Sequence, residues 1–372
     1  MVGVPIIEVS PVFAFPPVQG KFHVLTGSNG TGKTRYLSWL SNKVAQEIKH
    51  GASEYGRMIC LSGTVYEKFP KSFDGGSQAD SDYIYFGNRT NNNMFSEISP
   101  FRRLALYLLN VDAASVVRME LARKILISIG FDPIVALKFR RGRNTKNAES
   151  STQDLDLSVT FHQGAYADQR FMARYRQLMG GVVHLSGMTL SKSNKAVDLN
   201  DLSSGERLYI LAALGLCFCT VDNTIVLFDE PENSLHPKWQ AKLMQDIYNI
   251  VSTVSSGSTV VVATHSPLVV SSAPNSDSLI RDLPSENGWV ASDLYGKNSD
   301  AVLIEQFGVE SPRALSVIDV IQRCLDSLVK GTLGGQDFAQ ASSELQSLNL
   351  SLETDDPLHA TVKMILQLRE RG

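Results

Sequence analysis

The stretch GSNGTGKT, from Gly27 to Thr34, decides the fold of this chain. It follows the apolar run FHVLT, which predicts a buried strand, and it precedes an amphipathic stretch that predicts a helix. Glycines let the backbone of such a loop curl so that several N–H groups face one anion, and the following helix adds its positive N-terminal end. The spacing Gly27-x-x-x-x-Gly32-Lys33-Thr34 is the complete Walker A pattern. We therefore expect a phosphate-binding loop between a strand and a helix.

The residues of this loop have separate expected roles. Its backbone amides would surround phosphate groups, and the side chain of Lys33 would bridge the terminal phosphates of a nucleotide. The hydroxyl of Thr34 would take a place on Mg²⁺. The residues expected to contact the nucleotide are Ser28, Asn29, Gly30, Thr31, Gly32, Lys33 and Thr34.

The stretch TIVLFDE supplies carboxylates for the metal and for catalysis. Its apolar residues predict a buried strand that ends at Asp229, and α/β sheets bind ligands at the carboxyl ends of their strands. We expect Asp229 to hold Mg²⁺ through water. Glu230 follows at once and is expected to orient or deprotonate the attacking water, which is worth about 10²–10⁴-fold in rate. The alternative is that Glu230 only caps the next helix.

Two further short motifs accompany the loop and the strand. THSP follows the apolar strand STVVVA, so His265 stands at the end of a buried strand and is expected to sense a γ-phosphate. LSSGE, ahead of an apolar helix, contains Ser203, Ser204, Gly205 and Glu206. The serines can cap that helix and the glycine permits close approach of another backbone. A helix start is also a ready anion site, so this motif has two interpretations.

Composition limits the class of protein. The chain has 372 residues, of which 43% are apolar and 20% charged, as in globular proteins rather than disordered ones. The net charge of −3 gives no overall attraction to nucleic acid, so DNA binding would need a local basic patch. The four cysteines lack metal-site spacing, and we expect them to be buried in a reducing compartment.

Targeting and membrane signals are weak. The N-terminus has no basic region ahead of its apolar residues, and the longest apolar run, LYILAALGLCFCTV, is too short to cross a bilayer. We therefore expect a cytoplasmic protein with no membrane association.

Alternation of fully apolar strands with helices predicts an α/β fold with a parallel central sheet covered on both faces. We expect a discontinuous nucleotide-binding domain over 1–99 and 183–300. Between its parts, residues 100–182 would form a mixed insertion with helices and a hairpin made of PIVALKFR and DLSVTFHQ. Residues 301–372 would form a helical C-terminal region.

The order of Walker A, LSSGE, FDEPENSLHP and THS resembles that of the ABC-type ATPases, over about Phe22 to Pro267. The Asn29-Gly30 pair makes the loop similar to the branch with SMC, RecF and OLD proteins rather than to transporter cassettes. DEPENSLHP is similar to OLD nucleases and Septu-type defence ATPases. The resemblance implies an ABC-ATPase head that uses ATP and Mg²⁺.

The resemblance also implies a head-to-tail homodimer, or a higher homo-oligomer, with two ATP molecules in the interface. Ser203 and Gly205 of one subunit would touch the γ-phosphate of the ATP held by its partner. Asn233 and Ser234 would lie in the D-loop that crosses the interface. His265 would be the switch histidine.

The chain departs from the family pattern in several places. There is no clear Q-loop glutamine: Gln78 lies in a Gly-rich loop, and Asn88 or Arg89 would take its place. His236 stands where SMC proteins have an aspartate. The long coiled coil of SMC proteins is missing, which disfavours chromosome tethering.

The partners are less defined by the sequence. Asp355 and Asp356 are adjacent, whereas a Toprim nuclease has an Asp-x-Asp pair. We therefore expect any nuclease or toxin effector to be a separate chain. The expected setting is prokaryotic anti-phage defence of the Septu or retron-associated kind. The alternative is a RecF-like ATPase of DNA repair or maintenance. Its nucleic acid would bind a basic strip that contains Lys138, Arg140, Arg141, Arg143 and Lys146. The alternative interpretation of this strip is a solvated loop that binds no partner.

Overall fold

A computed structural model describes most of the chain, which forms two compact units, Met1–Phe307 and Gly308–Gly372. The description covers residues 15–70, 82–91, 94–110, 115–142, 155–162, 169–274, 278–285, 287–309, 313–332, 335–352 and 356–371.

The first unit contains all the described strands. In chain order they are β1 Phe22–Gly27, β2 Arg57–Ser62, β3 Tyr83–Phe86, β4 Arg89–Asn91, β5 Met94–Phe95, β6 Ile134–Arg141, β7 Leu157–Thr160, β8 Val183–Lys192, β9 Lys195–Asp198, β10 Thr224–Asp229, β11 Thr259–Ala263, β12 Ser278–Leu283 and β13 Val290–Ala291.

Helices connect the strands of the first unit and make up the second. They are α1 Lys33–Lys49, α2 Ser99–Leu109, α3 Val116–Ser128, α4 Gln169–Met179, α5 Ser204–Cys219, α6 Pro237–Val254, α7 Pro267–Ser271, α8 Ser299–Glu305, α9 Leu315–Val329, α10 Gln336–Ser347 and α11 His359–Arg371.

A seven-stranded sheet in the order β13-β12-β1-β11-β10-β2-β3 organises the first unit. Its neighbouring strands run parallel except for the β12–β13 pair at one edge. This order places β11 between β1 and β10, and the three strands run parallel, so the residues that follow them meet at one edge of the sheet. The predicted parallel sheet is confirmed.

Alternate residues of the central strands enter different cores. On β10, Val226 and Phe228 join the core that contains α5 and α6, whereas Ile225 and Leu227 join the core that contains α1. The side chains of all four are fully buried. The continuous apolar run therefore arises because helices cover both faces of the sheet, as the sequence predicted.

A four-stranded antiparallel sheet has the order β7-β6-β8-β9. The expected hairpin partners β6 and β7 do pair, and β8 and β9 extend the sheet to Asp198. The sheet thus passes residue 182, where we expected the insertion to end. Ser193 and Asn194 form the β8–β9 turn with positive φ of 51° and 59°, a tight-hairpin geometry whose Ser-Asn signal was present in the sequence.

The second unit is helical in its described residues. Apolar side chains of α9, α10 and α11 form a separate core that includes Ile321, Phe338, Leu345 and Ile365. We expected the helical region to begin at residue 301, but α8 belongs to the first unit.

Two further expectations concern cysteines and the membrane. Cys60, Cys217, Cys219 and Cys324 are free and buried, as predicted. Among the described helices, none combines the length and apolar character needed to cross a membrane.

Candidate nucleotide-binding site

The phosphate loop joins β1 to α1 through glycines in left-handed conformations. Gly27, Gly30 and Gly32 have φ of 139°, 84° and 108°. A side chain at Gly27 would come within 2.5 Å of the Leu283 carbonyl oxygen, so only glycine fits there. Gly32 occupies the N-cap of α1 and has no side chain to satisfy the first amides of the helix. These amides are thus available to an anion, as the Walker A pattern predicts.

The lysine of the loop is folded against the loop itself. Lys33 is 5% exposed, and its ammonium donates to the carbonyl oxygens of Gly27 at 2.7 Å and Ser28 at 3.3 Å. These contacts hold the positive charge at the strand end, beside the amides described above. A nucleotide phosphate would find both donors in one place.

Thr34 and Asp229 meet at the carboxyl end of β10. The hydroxyl of Thr34 donates to the Asp229 carboxylate, 3.0 Å from Oδ2 and 3.3 Å from Oδ1. Asp229 is fully buried. Its pKa is raised to about 7, chiefly by burial and further by the charges of Glu230, Glu232 and Glu67, while the Thr34 hydrogen bond acts in the opposite direction.

These surroundings fit a divalent cation. The two groups are hard oxygen donors of the kind that Mg²⁺ prefers, and a cation would offset the cost of a carboxylate buried near others. The described residues include no group of three or more His, Cys, Asp or Glu side chains that would form an all-protein metal cage. A magnesium ion held by one carboxylate, one hydroxyl and phosphate oxygens is consistent with that arrangement.

Glu230 lies beside His265, which was expected to sense the γ-phosphate, and beside Asn233, which was expected in the D-loop. Its Oε2 accepts from the Asn233 amide at 2.9 Å, and its Oε1 lies 3.4 Å from His265 Nδ1. Its backbone adopts φ of 49°, which costs a non-glycine residue free energy and marks functional sites. The alternative that Glu230 caps α6 is wrong, because His236 is the N-cap of that helix.

Glu232 is a residue of the site that the sequence analysis did not single out. Its side chain is 6% exposed and contacts both the backbone amide and the ring of His265. The third acidic residue of DEPE, spaced so that it shares the loop after β10 with Glu230, was the available signal.

The LSSGE motif opens α5 with Ser203 as its cap, while Ser204, also expected as a capping residue, is the first residue of the helix. Ser203 and Glu206 form a reciprocal capping box, and Glu206 also pairs with Lys192 at 3.1 Å. A side chain at Gly205 would come within 2.4 Å of the Ser234 carbonyl oxygen, so this glycine permits close contact with the loop after Asn233. Within the described part of the chain, no hydrogen bond joins the motif to the phosphate loop of the same molecule.

The structure separates the candidates for the Q-loop position. Gln78 lies outside the described residues. Arg89 donates to the Phe69 carbonyl at 2.8 Å and lies 3.5 Å from Glu67. Asn88 instead lines a cleft of about 190 Å³, which Gly63, Ser204, Arg207 and Asn233 also line. Of the two expected alternatives, Asn88 is the one that lines this cleft, beside Ser204 and Asn233.

The basic strip is only partly within the described residues, since Arg143 and Lys146 lie outside them. Lys138 pairs with Asp198 at 3.2 Å. Arg140 is exposed on β6 opposite His184 and makes no ion pair with another described residue.

Residues 103–271 match the family model described as AAA domain, putative AbiEii toxin, Type IV TA system. The match covers less than half of the chain and begins after the phosphate loop, but it includes LSSGE, DEPEN and THS.

The chain is also 29% identical over 176 residues to a protein named Retron Vc95 probable ATPase, from Vibrio cholerae serotype O1 biovar El Tor. The similarity covers 43% of this chain and 32% of that protein, so the chain matches about a third of the length of its relative. Among solved structures, UvrA2 from Deinococcus radiodurans is 15% identical, with a TM-score of 0.29, over 71% of this chain and 33% of that one. This TM-score is too low to support an argument about the fold, so the assignment of the fold rests on the order of the strands in the sheet.

The phosphate loop, the Thr34–Asp229 pair and the matched sequence resemble those of ATPases of the ABC/AAA type. The sequence is related to that of the retron protein named as a probable ATPase.

Proposed function

We propose that this protein binds ATP with Mg²⁺ and hydrolyses its β–γ phosphoanhydride bond. The observation that carries the proposal is the hydrogen bond between Thr34 and the buried Asp229, which joins the Walker A loop to the strand that ends in DE. Thr34 and Asp229 would hold Mg²⁺, which would draw charge from the phosphates. Lys33 would turn from the loop carbonyls to the terminal phosphates.

Glu230 would act on the attacking water in this scheme. Asn233 donates to one oxygen of Glu230, which leaves the carboxylate oriented while its other oxygen faces His265. The carboxylate would accept the proton of the water as the bond to phosphorus forms. His265 would contact the γ-phosphate and respond to its loss.

We further propose that ATP closes two copies of the chain head to tail. Ser203, Ser204, Gly205 and Glu206 of one copy would meet the nucleotide bound to the phosphate loop of the other. Support comes from the N-terminus of α5, where Ser203 and Ser204 are exposed while Gly205 is buried against the loop that contains Ser234. Closure and opening of this dimer would be the switch.

The proposed setting is cytoplasmic anti-phage defence, in which the ATPase senses or regulates a separate nuclease or toxin. The retron relative and the family description with its toxin–antitoxin wording support this setting. A second candidate is a RecF-like DNA-binding ATPase, which the exposed Arg140 on β6 favours. That candidate requires hydrolysis to be stimulated by DNA and the stimulation to fall steeply as salt rises.

The first experiment compares Lys33→Ala and Glu230→Gln with the unchanged protein. Lys33→Ala should lose ATP binding by at least about tenfold, because a buried charge that contacts the phosphates is removed. Glu230→Gln should keep binding and reduce turnover by about 10²-fold or more. Nucleotide binding by calorimetry and phosphate release would measure the two effects. Full turnover by Glu230→Gln would contradict the role proposed for that carboxylate.

A further inference from the structure

Glu232 lies outside the phosphate loop and the Thr34–Asp229 pair, yet it contacts His265 twice. Its Oε1 accepts the backbone N–H of His265 at 2.8 Å. The same oxygen lies 3.1 Å from Nδ1 of the imidazole ring. One buried carboxylate oxygen therefore fixes both the backbone and the ring of this residue.

The ring nitrogen Nδ1 faces a second carboxylate as well. Glu230 Oε1 lies 3.4 Å from it, on the other acidic residue of the same loop. A nitrogen that faces carboxylate oxygens carries its proton, because a lone pair at that position would be repelled. The ring is thus held with Nδ1 as a donor. Its other nitrogen, Nε2, makes no hydrogen bond with the residues that the structure describes, and 44% of the side chain is exposed.

We propose that Glu232 is a positioning residue that holds His265 so that Nε2 donates a hydrogen bond to the γ-phosphate. The inference rests on the proposed ATPase function. Phosphate oxygens only accept hydrogen bonds, so the contact requires a proton on Nε2 in addition to the one on Nδ1. The carboxylate oxygens beside Nδ1 accept from that nitrogen and leave Nε2 for the phosphate.

Burial of Glu232 makes Glu232 and His265 depend on each other. Removal from water raises the pKa of Glu232, while the His265 amide and ring act in the opposite direction. A carboxylate in such a place remains charged only while it is paired, so Glu232 needs His265 as much as the ring needs the carboxylate.

Kinetics of Glu232→Gln, Glu232→Ala, His265→Ala and the double alanine variant test the proposal. Glu232→Ala should lower kcat by about tenfold or more with little change in KM for ATP, as is usual when a hydrogen-bond partner behind a functional histidine is lost. Glu232→Gln keeps an acceptor oxygen, so its kcat should lie between that of the unchanged protein and that of Glu232→Ala. The double variant should be no slower than His265→Ala, because Glu232 acts through that ring. Glu54→Gln, on the exposed surface, is the control and should be unchanged.

Independent, multiplying losses in the double variant would overturn the proposal. A second measurement needs no turnover: ¹⁵N NMR of the labelled histidine ring should show Nδ1 protonated in the unchanged protein and a shift towards the Nε2–H tautomer in Glu232→Ala. An Nε2–H tautomer in the unchanged protein would equally overturn it. If no variant and no wild-type sample hydrolysed ATP, the proposed function would fail, while the ring spectrum would still report on Glu232.

Discussion

The acidic residues at the end of β10 and in the loop after it differ mainly in their surroundings. Asp229 is fully buried against a hydroxyl, Glu230 lies between an amide and an imidazole, and Glu232 is buried beneath the same imidazole. The sequence DEPE shows that three carboxylates lie within four positions, but it does not show the environment of each one. Their distinct expected roles therefore follow from burial and hydrogen bonding rather than from residue type.

His23 on β1 provides a prediction about pH. Burial lowers its pKa from 6.5 to about 4, although hydrogen bonds to the Val260 and Lys21 carbonyls act in the opposite direction. Between these two values the unfolded chain binds more protons than the folded one, so stability should fall as pH falls from 6.5 to 4. The loss should reach about 3 kcal/mol at most.

Urea unfolding at pH 7 and pH 5 would measure this slope. His23→Gln cannot titrate, so its part of the pH dependence should disappear even if the variant is less stable at pH 7. His50→Gln, on the surface, should keep the slope of the unchanged protein. An identical slope in His23→Gln and the parent would show that other groups cause the acid sensitivity.

At the scale of elements, the sequence predicted those strands whose formation depends on a local pattern of apolar residues. The apolar runs before Gly27, at TIVLF and at STVVVA became β1, β10 and β11, because continuous apolar runs suit strands covered on both faces. The strands β8 and β9 were not predicted, since their alternation is interrupted by the small residues of LSGMT. Their place is set by pairing with β6, which is a contact distant in sequence.

The residues of the candidate site also divide into those that local motifs predict and those that depend on contacts distant in sequence. Motif spacing identified Lys33, Thr34, Asp229, Glu230 and His265. It did not identify Glu232, because its contact with His265 depends on two loops that meet only when β10 and β11 pair.

The start of α5 gives a prediction at this scale. Gly205→Ala would place a methyl group about 2.4 Å from the Ser234 carbonyl oxygen, so the backbone of one element must move. We expect a loss of about 1–3 kcal/mol in stability and a clear fall in ATP turnover. Gly56→Ala is the matched control, since its added carbon would lie 3.8 Å from the nearest described atom and should be tolerated. Thermal unfolding and phosphate release would detect both effects, and a normal Gly205→Ala enzyme would argue against a tight contact here.

At the scale of the whole molecule, the dimer is the feature to test. Glu230→Gln with ATP should double the particle mass in solution, because hydrolysis no longer separates the copies. Adding Ser204→Arg should keep it monomeric, since Ser204 is exposed at the start of α5 and a large cation there would obstruct a second copy. Gln245→Arg, exposed on α6, is the control and should leave the dimer intact. A dimer that forms equally well with Ser204→Arg would exclude the head-to-tail interface.

The contact between Gly205 and Ser234 has a consequence for how two sites would work together. Ser234 follows Asn233, whose side-chain amide donates to Glu230, so the surface proposed to meet a neighbouring nucleotide and the chain's own reactive carboxylate are four residues apart in one loop. Contact with an ATP bound to the other copy would move Glu230, the carboxylate that acts on the ATP of its own copy. Hydrolysis should then depend on ATP concentration sigmoidally, with a Hill coefficient above one, and the two bound nucleotides would be cleaved as a cooperative pair.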